Sequence, residues 1–305
     1  MASIRGFSTP RVTVWPAAGA HEWARWDGWR GWLGLAIAAG SVLSAGPQSG
    51  SQGANPQVRL NQIIERFQQG LPSFNNQHWR YISMEHSPYD IKEVVQILRD
   101  LKPAGAVRPK LTPIIRMPPE GDDNYKWMVK QVLDQGVMGV ILSHVTTKRE
   151  ALAFVRSMRY PPQRGATHPQ PEGIRGWGPT GAVPYWGLDN RSYTLERADL
   201  WPLNPDGELL AIVMIETREG VKNINDILST PGFGAVLVGP SDLSMDLGVG
   251  PNPAAPEVEA ATEVVARTCV ARRMLCGTFQ SPDAQKRVAQ GFRLFVSGAG
   301  NYQGD

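Results

Sequence analysis

The sequence predicts an α/β fold, a TIM-type (β/α)8 barrel, over residues 57–305. Apolar, β-branched runs of strand length alternate with segments whose apolar residues recur at helical spacing. Short connections join most of these segments, as parallel strands with crossover helices require. In addition, two such runs end in the carboxylates Glu216 and Asp242, about one strand-helix unit apart. Together these observations favour a closed parallel sheet with helices outside it.

Local signals mark the helices in the first half of this domain. Asp90 is predicted to be a helix N-cap, Gly136 lies just past a helix end, and Thr147 forms a capping box with Glu150. The apolar residues of 59–70 recur at helical spacing, and we expect this helix to close the barrel floor. The predicted helices are 59–70, 90–102, 123–136 and 147–160, and the predicted strands are 79–83, 112–117 and 137–145.

The second half begins with an irregular stretch. Residues 161–207 hold eight prolines and seven glycines, which predicts a long, substrate-facing loop with short helical pieces. The alternation then resumes, with strands at 212–216, 236–239, 274–279 and 293–298 and helices at 218–229, 257–273 and 281–291. Only seven strands are predicted, because 71–79 is too short for a full first strand and its helix. We therefore expect a barrel that is shortened at its first unit and lacks the closing C-terminal helix.

Residues 1–56 differ in composition from the rest and form an N-terminal extension. An apolar, small-residue run at 31–46 follows Arg25 and Arg30, as in a secretory signal peptide, and it is too short and Gly-rich for a membrane span. A signal peptide would direct the protein to the periplasm. A disordered extension, or a start codon placed too early, would leave it in the cytoplasm. On either interpretation, 46–57 is a linker.

Composition also bounds the partners. The net charge is only +3 and no block of consecutive Lys or Arg occurs, so the chain lacks the electrostatic footprint of a nucleic-acid-binding protein. We expect a small-molecule substrate. The two cysteines, Cys269 and Cys276, are too few for a disulfide framework or a zinc site, and we expect two buried thiols without a role.

Four residues at the C-terminal ends of predicted strands are candidates for catalysis: His86, Arg116, Glu216 and Asp242. In a TIM barrel the active site lies on this face. Two converging carboxylates suit a hard divalent cation such as Mg²⁺ or Mn²⁺, which can bind a 2-oxo acid and stabilise the charge that develops on it. The sequence therefore predicts a metal-dependent enzyme with Glu216 and Asp242 as metal ligands.

The other candidates would surround that cation. Arg116 can hold a developing oxyanion, and His86 can move a proton. The turn after Gly239 presents the backbone N–H groups of Ser241 and Asp242 at a helix start, where a substrate carboxylate can bind.

Each candidate also has a structural alternative. Glu216 can cap a helix or pair with Arg218, and Asp242 can be a simple N-cap. The arginine and the histidine can be satisfied by neighbours on the barrel rim. His144 also lies near a strand end, and we expect it to be structural.

Four segments resemble motifs of the HpcH/HpaI family in the same order: RYPP at 159–162, GIRGWGP at 173–179, IETREG at 215–220 and GPSDLS at 239–244. Two further motifs, MEH and PIIR, precede them in the sequence. The resemblance covers about 59–300 and implies a class II pyruvate aldolase, which cleaves a 4-hydroxy-2-oxo acid to pyruvate and an aldehyde. It implies a TIM barrel assembled as a homo-oligomer, a trimer or hexamer. It also implies a divalent cation, Mg²⁺, Mn²⁺ or Co²⁺, on Glu216 and Asp242, with Arg116 catalytic and His86 handling protons.

The sequence departs from the family pattern at three places. Ser83 stands where an Asp usually partners the histidine, so either Glu85 or a water substitutes for that Asp, or proton transfer is weaker. Met214 replaces a residue that is often Gln, and 163–171 is an insertion expected to reshape the aldehyde pocket. Two alternatives to the aldolase therefore stay open: a 2-oxo acid decarboxylase with the same site, and a degenerate barrel that binds a 2-oxo acid without turnover.

Overall fold

The computed structural model describes residues 58–279 and 283–304, so the expectations for the N-terminal extension lie outside the described residues. Within these ranges eight parallel strands form one sheet, a nearly closed TIM-type α/β barrel with the order β1-β8-β7-β6-β5-β4-β3-β2. The strands are β1 (Ser73–Phe74), β2 (Trp79–Ser83), β3 (Thr112–Glu120), β4 (Gly139–Ser143), β5 (Leu210–Ile215), β6 (Phe233–Val238), β7 (Leu275–Thr278) and β8 (Phe292–Phe295).

Helices connect the strands and cover the outside of the barrel. They are α1 (Gln62–Gln68), α2 (Ile91–Leu101), α3 (Lys126–Gln135), α4 (Lys148–Met158), α5 (Ala182–Trp186), α6 (Asn190–Ser192), α7 (Arg218–Lys222), α8 (Ile224–Ile227), α9 (Pro240–Asp246), α10 (Pro256–Ala271) and α11 (Ala284–Ala289). The Asp90 cap, the Thr147–Glu150 capping box and the left-handed Gly136 at the end of α3 are confirmed. Across the described ranges, no helix has the length and apolar character needed to cross a membrane.

The count of seven strands was wrong at the first unit. Ser73 and Phe74 pair in parallel with Leu294 and Phe295 of β8, and Asn75 makes a parallel bridge to Trp79. A two-residue strand carries too little periodicity to be recognised, and its conformation is set by pairing with β8. The barrel is thus shortened at β1 without losing a strand, and 296–304 after β8 form bends and turns.

Two apolar layers fill the described part of the barrel. One lies inside the barrel and combines inward-facing strand residues such as Ile114 and Ile212 with Ile63 and Ile64 of α1. This confirms the expectation that the first helix closes the barrel floor. The other layer packs the outer faces of the strands against α2 to α5 and α7 to α11. Because the interior is filled with side chains, the free space for chemistry lies at the mouth.

Residues 161–207 do not face the substrate end of this chain's own barrel, contrary to the prediction. The Trp186 indole donates a hydrogen bond to the carbonyl of Gly136, which precedes β4, and Arg197 pairs with Glu208, which precedes β5. The segment joins α4 to β5, and such helix-to-strand connections lie at the amino ends of the strands, opposite the catalytic face. The predicted short helical pieces are present as α5, α6 and a π-helical turn at Tyr193–Arg197.

The expectation of two free thiols was also wrong. Cys269 in the last turn of α10 and Cys276 in β7 form a disulfide, with their Cα atoms 6.0 Å apart. The chain reverses between them, and this brings the end of the helix beside the strand that follows it. Seven residues of sequence separation do not reveal that approach.

Reduction of this disulfide is expected to lower the free energy of unfolding by about 2 kcal/mol, because the bond closes a short loop in the unfolded chain. Chemical unfolding with and without reductant measures the difference. Thiol titration of the denatured, unreduced protein should find neither cysteine reactive, whereas two reactive thiols would contradict the pairing.

Candidate active site

The carboxyl ends of β2 to β6 bring the predicted site residues to one mouth. Arg116 lies within β3, Glu216 directly follows β5, and Asp242 lies in the first turn of α9 after β6. Two residues at the end of β4 that the sequence interpretation gave no catalytic role also belong to the site: Ser143 contacts Arg116, and His144 contacts Glu216. The site is therefore a continuous group of polar side chains above an apolar barrel interior.

Glu216 adopts neither of its structural alternatives. Thr217 caps α7, and Arg218 pairs with Asp246 at 3.2 Å. The Glu216 side chain is fully buried; its Oε1 accepts a hydrogen bond from the His144 N–H at 2.9 Å, and its Oε2 lies 3.4 Å from Arg116 Nη2. The carboxylate is thus held rigidly and faces the mouth.

Asp242 is likewise not the N-cap of its helix, because Gly239 takes that position and Pro240 is the first helical residue. The half-buried Asp242 is left to face the site. Ligand atoms of His144, Glu216 and Asp242 all lie within 4.8 Å of one another. Two carboxylates and an imidazole form a donor set that fits a divalent cation.

The electrostatics of Glu216 support this fit. Burial raises the pKa of Glu216 to about 8, with Asp242 and Glu85 adding to the rise and with Arg116 and the His144 N–H opposing it. The Glu216 carboxyl resists ionisation in spite of the neighbouring guanidinium, so its surroundings lack the positive charge that would stabilise the carboxylate. A divalent cation between Glu216 and Asp242 would supply that charge.

A pH dependence follows for the metal-free protein. The pKa of Glu216 in the folded state, about 8, lies above its ordinary value of 4.5, so the folded state binds this proton more tightly than the unfolded state does. The contribution of Glu216 to stability is therefore complete below about pH 4.5 and is lost as the pH rises to about 8. The measurement compares the free energy of unfolding of the wild type with that of Glu216→Gln, both in chelator. The stability advantage of the wild type over the variant should decrease between pH 5 and pH 8. A flat or rising difference would contradict the buried, protonated carboxyl.

Arg116 is the central cation of the site. It is buried, its Nε donates to Ser143 Oγ at 2.9 Å, and its Nη2 pairs with Glu85 and approaches Glu216. Its guanidinium also lies 5.6 Å from the centre of the Phe279 ring. These contacts fix the plane of the guanidinium, which can then present a fork of donors to a substrate oxyanion.

His86 lies at the outer edge of the site. Its side chain is 72% exposed, and its Nε2 is 3.1 Å from Oε2 of Glu85, the same carboxylate that pairs with Arg116. Ser83 interacts instead with the Tyr81 hydroxyl. Of the two substitutes considered for the usual Asp, the structure places Glu85 in contact with the imidazole.

Gly239 makes room for the Glu216 carboxylate. A Cβ at position 239 would lie 2.4 Å from Glu216 Oε2, 3.0 Å from Glu216 Cβ and 3.2 Å from the sulfur of Met214. The residue that the sequence interpretation assigned to substrate binding therefore also has a packing role beneath the site.

Gly239→Ala is expected to displace the Glu216 carboxylate and weaken divalent-metal binding by roughly tenfold or more, the effect typical of disturbing the surroundings of a metal ligand. Calorimetric titration with Mn²⁺ measures this. Gly178→Ala is the matched control, because a Cβ there meets only Asp134 Oδ2 at an ordinary 3.6 Å. Unchanged Mn²⁺ affinity in Gly239→Ala would contradict the packing argument.

Known proteins match the chain over most of the barrel. A family model described as HpcH/HpaI aldolase/citrate lyase matches residues 77–299. The 4-hydroxy-2-oxo-heptane-1,7-dioate aldolases of Klebsiella pneumoniae and Escherichia coli are both 34% identical over 191 residues, 61% of this chain. The match spans 60% and 61% of the length of those two relatives.

Solved structures agree in fold. An HpcH/HpaI aldolase/citrate lyase family protein from Burkholderia cenocepacia matches with a TM-score of 0.63 and 26% identity. The match covers 78% of this chain and 93% of the Burkholderia chain. The HpcH/HpaI aldolase of Desulfitobacterium hafniense has a TM-score of 0.58 and 26% identity, with coverages of 79% and 83%. The matched motifs, the barrel and the family model lead to one conclusion: the chain belongs to the HpcH/HpaI aldolase/citrate lyase family.

Proposed function

We propose that the chain is a divalent-metal-dependent lyase that cleaves a 4-hydroxy-2-oxo acid reversibly to pyruvate and an aldehyde. The observation that carries this proposal is the convergence of Glu216 and Asp242 at the barrel mouth with Arg116 beside them. The curated aldolases that match the chain, named for a hydroxy-oxo diacid, support the same reaction class.

Glu216 and Asp242 would hold the cation, and Mg²⁺, Mn²⁺ and Co²⁺ all suit carboxylate ligands and water. When bound, the cation supplies a Lewis acid next to the keto and carboxylate oxygens of a 2-oxo acid. The first-turn N–H groups of α9, at Ser241 and Asp242 behind Gly239, would receive the substrate carboxylate.

Cleavage breaks the bond between C3 and C4. The C4 hydroxyl gives up its proton and becomes the aldehyde carbonyl, while the electron pair of the broken bond moves toward the keto oxygen. Arg116 would hold the charge that develops there, because Ser143 and Glu85 fix its guanidinium in the site. Protonation at C3, for which the proton removed from the C4 hydroxyl is available, would then yield pyruvate.

His86 would take the hydroxyl proton. Its imidazole is exposed to an incoming substrate, and Glu85 at 3.1 Å can orient it and stabilise its protonated form. Glu85 would thus serve in place of the Asp that Ser83 replaces. Because His86 is at the rim and Arg116 is buried, the aldehyde half of the substrate would extend toward solvent.

The test is pyruvate release from a panel of 4-hydroxy-2-oxo acids and from oxaloacetate, with Mg²⁺, Mn²⁺, Co²⁺ or chelator. We expect metal-dependent release from at least one hydroxy-oxo acid and none in chelator. Release from oxaloacetate alone would identify a decarboxylase. Metal-dependent binding of pyruvate, measured by calorimetry, without turnover of any panel member would identify a binding protein. Either of these results overturns the proposed function.

A further inference from the structure

His144 has a backbone conformation that few side chains adopt. Its φ is 50°, in the left-handed region that most residues other than glycine avoid, although histidine is among those that enter it more often. Such conformations persist where the surrounding structure holds them, and they cluster at functional sites. At His144 the conformation lets the backbone N–H bind Glu216 while the ring remains beside the same carboxylate.

The position of the ring suits shared coordination better than a direct hydrogen bond. His144 Nε2 lies 3.6 Å from Glu216 Oε1, too far for a good hydrogen bond. Two ligand atoms that each lie about 2.1 Å from one cation are separated by roughly 3 to 4 Å. One ligand atom from each of His144, Glu216 and Asp242 lies within 4.8 Å of the other two. The three donors therefore surround a space that one ion can occupy after small side-chain adjustments.

We propose that His144 is a third protein ligand of the cation, completing a set of one imidazole and two carboxylates. This inference rests on the metal site of the proposed function and deepens it. Imidazole nitrogen favours later transition metals such as Co²⁺, Ni²⁺ and Zn²⁺, whereas Mg²⁺ prefers oxygen. The set therefore selects for transition metals over Mg²⁺ more strongly than two carboxylates alone.

The neighbours of His144 define a rival role. The largely exposed side chain of Glu120, at the end of β3, places its Oε1 3.7 Å from His144 Nε2. A protonated His144 ring would therefore stand between the carboxylates of Glu120 and Glu216. In that role His144 would be a counter-ion that competes with the metal. The two roles predict opposite effects: removing a ligand weakens Co²⁺ binding, and removing a competing cation strengthens it.

The experiment titrates the metal-free full chain with Co²⁺ and, separately, with Mg²⁺. Disturbing the surroundings of a metal ligand typically weakens metal binding by roughly 10- to 100-fold. For His144→Ala and His144→Gln we expect the Co²⁺ affinity to fall by at least this factor. The Mg²⁺ affinity should fall clearly less. His168→Ala, in the segment at the opposite end of the barrel, is the matched control and should change neither affinity. An unchanged or higher Co²⁺ affinity, or equal losses for both metals, would overturn the inference.

Pulsed electron paramagnetic resonance of the Mn²⁺-loaded wild type gives an independent readout. With ¹⁵N-labelled histidine, an imidazole coupling is expected in the wild type and should be absent in His144→Gln. If the wild type binds no metal at all, the proposed function itself fails. If metal binds, is lost in Glu216→Gln, and shows no imidazole coupling, only the role of His144 fails.

Discussion

Replacing Glu216 with Gln is expected to abolish divalent-metal binding and to lower turnover by at least about 10³-fold, because the change removes a ligand of the Lewis acid. The amide keeps the shape of the side chain and can still accept the hydrogen bond from the His144 N–H. Metal affinity by calorimetry and initial rates of pyruvate release measure the two effects.

The stability of this variant separates loss of function from unfolding. Ionising Glu216 in its buried position costs on the order of a few kcal/mol, as its pKa of about 8 indicates. The metal-free Gln variant should therefore be at least as stable as the metal-free wild type at pH 8. Glu219→Gln, at an exposed carboxylate in α7, is the control and should retain metal binding and activity. Metal binding at wild-type affinity in Glu216→Gln would contradict the assignment.

Arg116→Lys is expected to lower kcat/KM by about 10²- to 10³-fold, the loss typical when a donor to a developing oxyanion is removed. Lysine keeps the positive charge beside Glu85 and Glu216 but loses the rigid fork that Ser143 positions. Steady-state kinetics at saturating metal measure this loss.

Lysine is preferable to alanine at this position, since removing the charge would leave two poorly solvated acids without their cation at a cost of about 3–5 kcal/mol in stability. Arg80→Lys provides the control, because that exposed side chain contacts only Asn76 Oδ1, at 2.7 Å, among the described side-chain bonds. Wild-type kinetics in Arg116→Lys would show that the positive charge alone suffices and that the fork has no special role.

The alternation of elements was predictable because periodicity and caps are local. Asp90, Thr147 and Gly136 each mark a helix boundary through a hydrogen bond or a backbone angle set by their own residue type. β1 was not predictable, since its two residues become a strand only by pairing with β8. The disulfide depends in the same way on the packing of α10 against β7.

The orientation of 161–207 was mispredicted for a different reason. Richness in proline and glycine indicates a loop but does not say which end of the barrel it covers. Its place in the order of elements does, because it runs from a helix to a strand. That topological signal was present in the sequence, and it would have assigned the insertion at 163–171 to the amino end.

Those site residues that lie at the ends of strands could be predicted from the sequence. Arg116, Glu216 and Asp242 are polar residues at or just after the ends of apolar runs, and the structure brings them together. His144 has the same signal, yet its proximity to Glu216 depends on a left-handed backbone that no sequence pattern specifies. The link from Glu85 to both His86 and Arg116 likewise depends on side-chain packing.

Exchange of the methyl protons of pyruvate in D₂O, followed by proton NMR, shows directly whether the metal site forms the enolate of pyruvate. It isolates proton removal at C3 and does not require the aldehyde to be known. We expect metal-dependent exchange with the wild type, and we expect it to be lost in chelator and in Glu216→Gln. Binding of pyruvate by the metal-loaded wild type with no exchange above a metal-only blank would contradict this expectation.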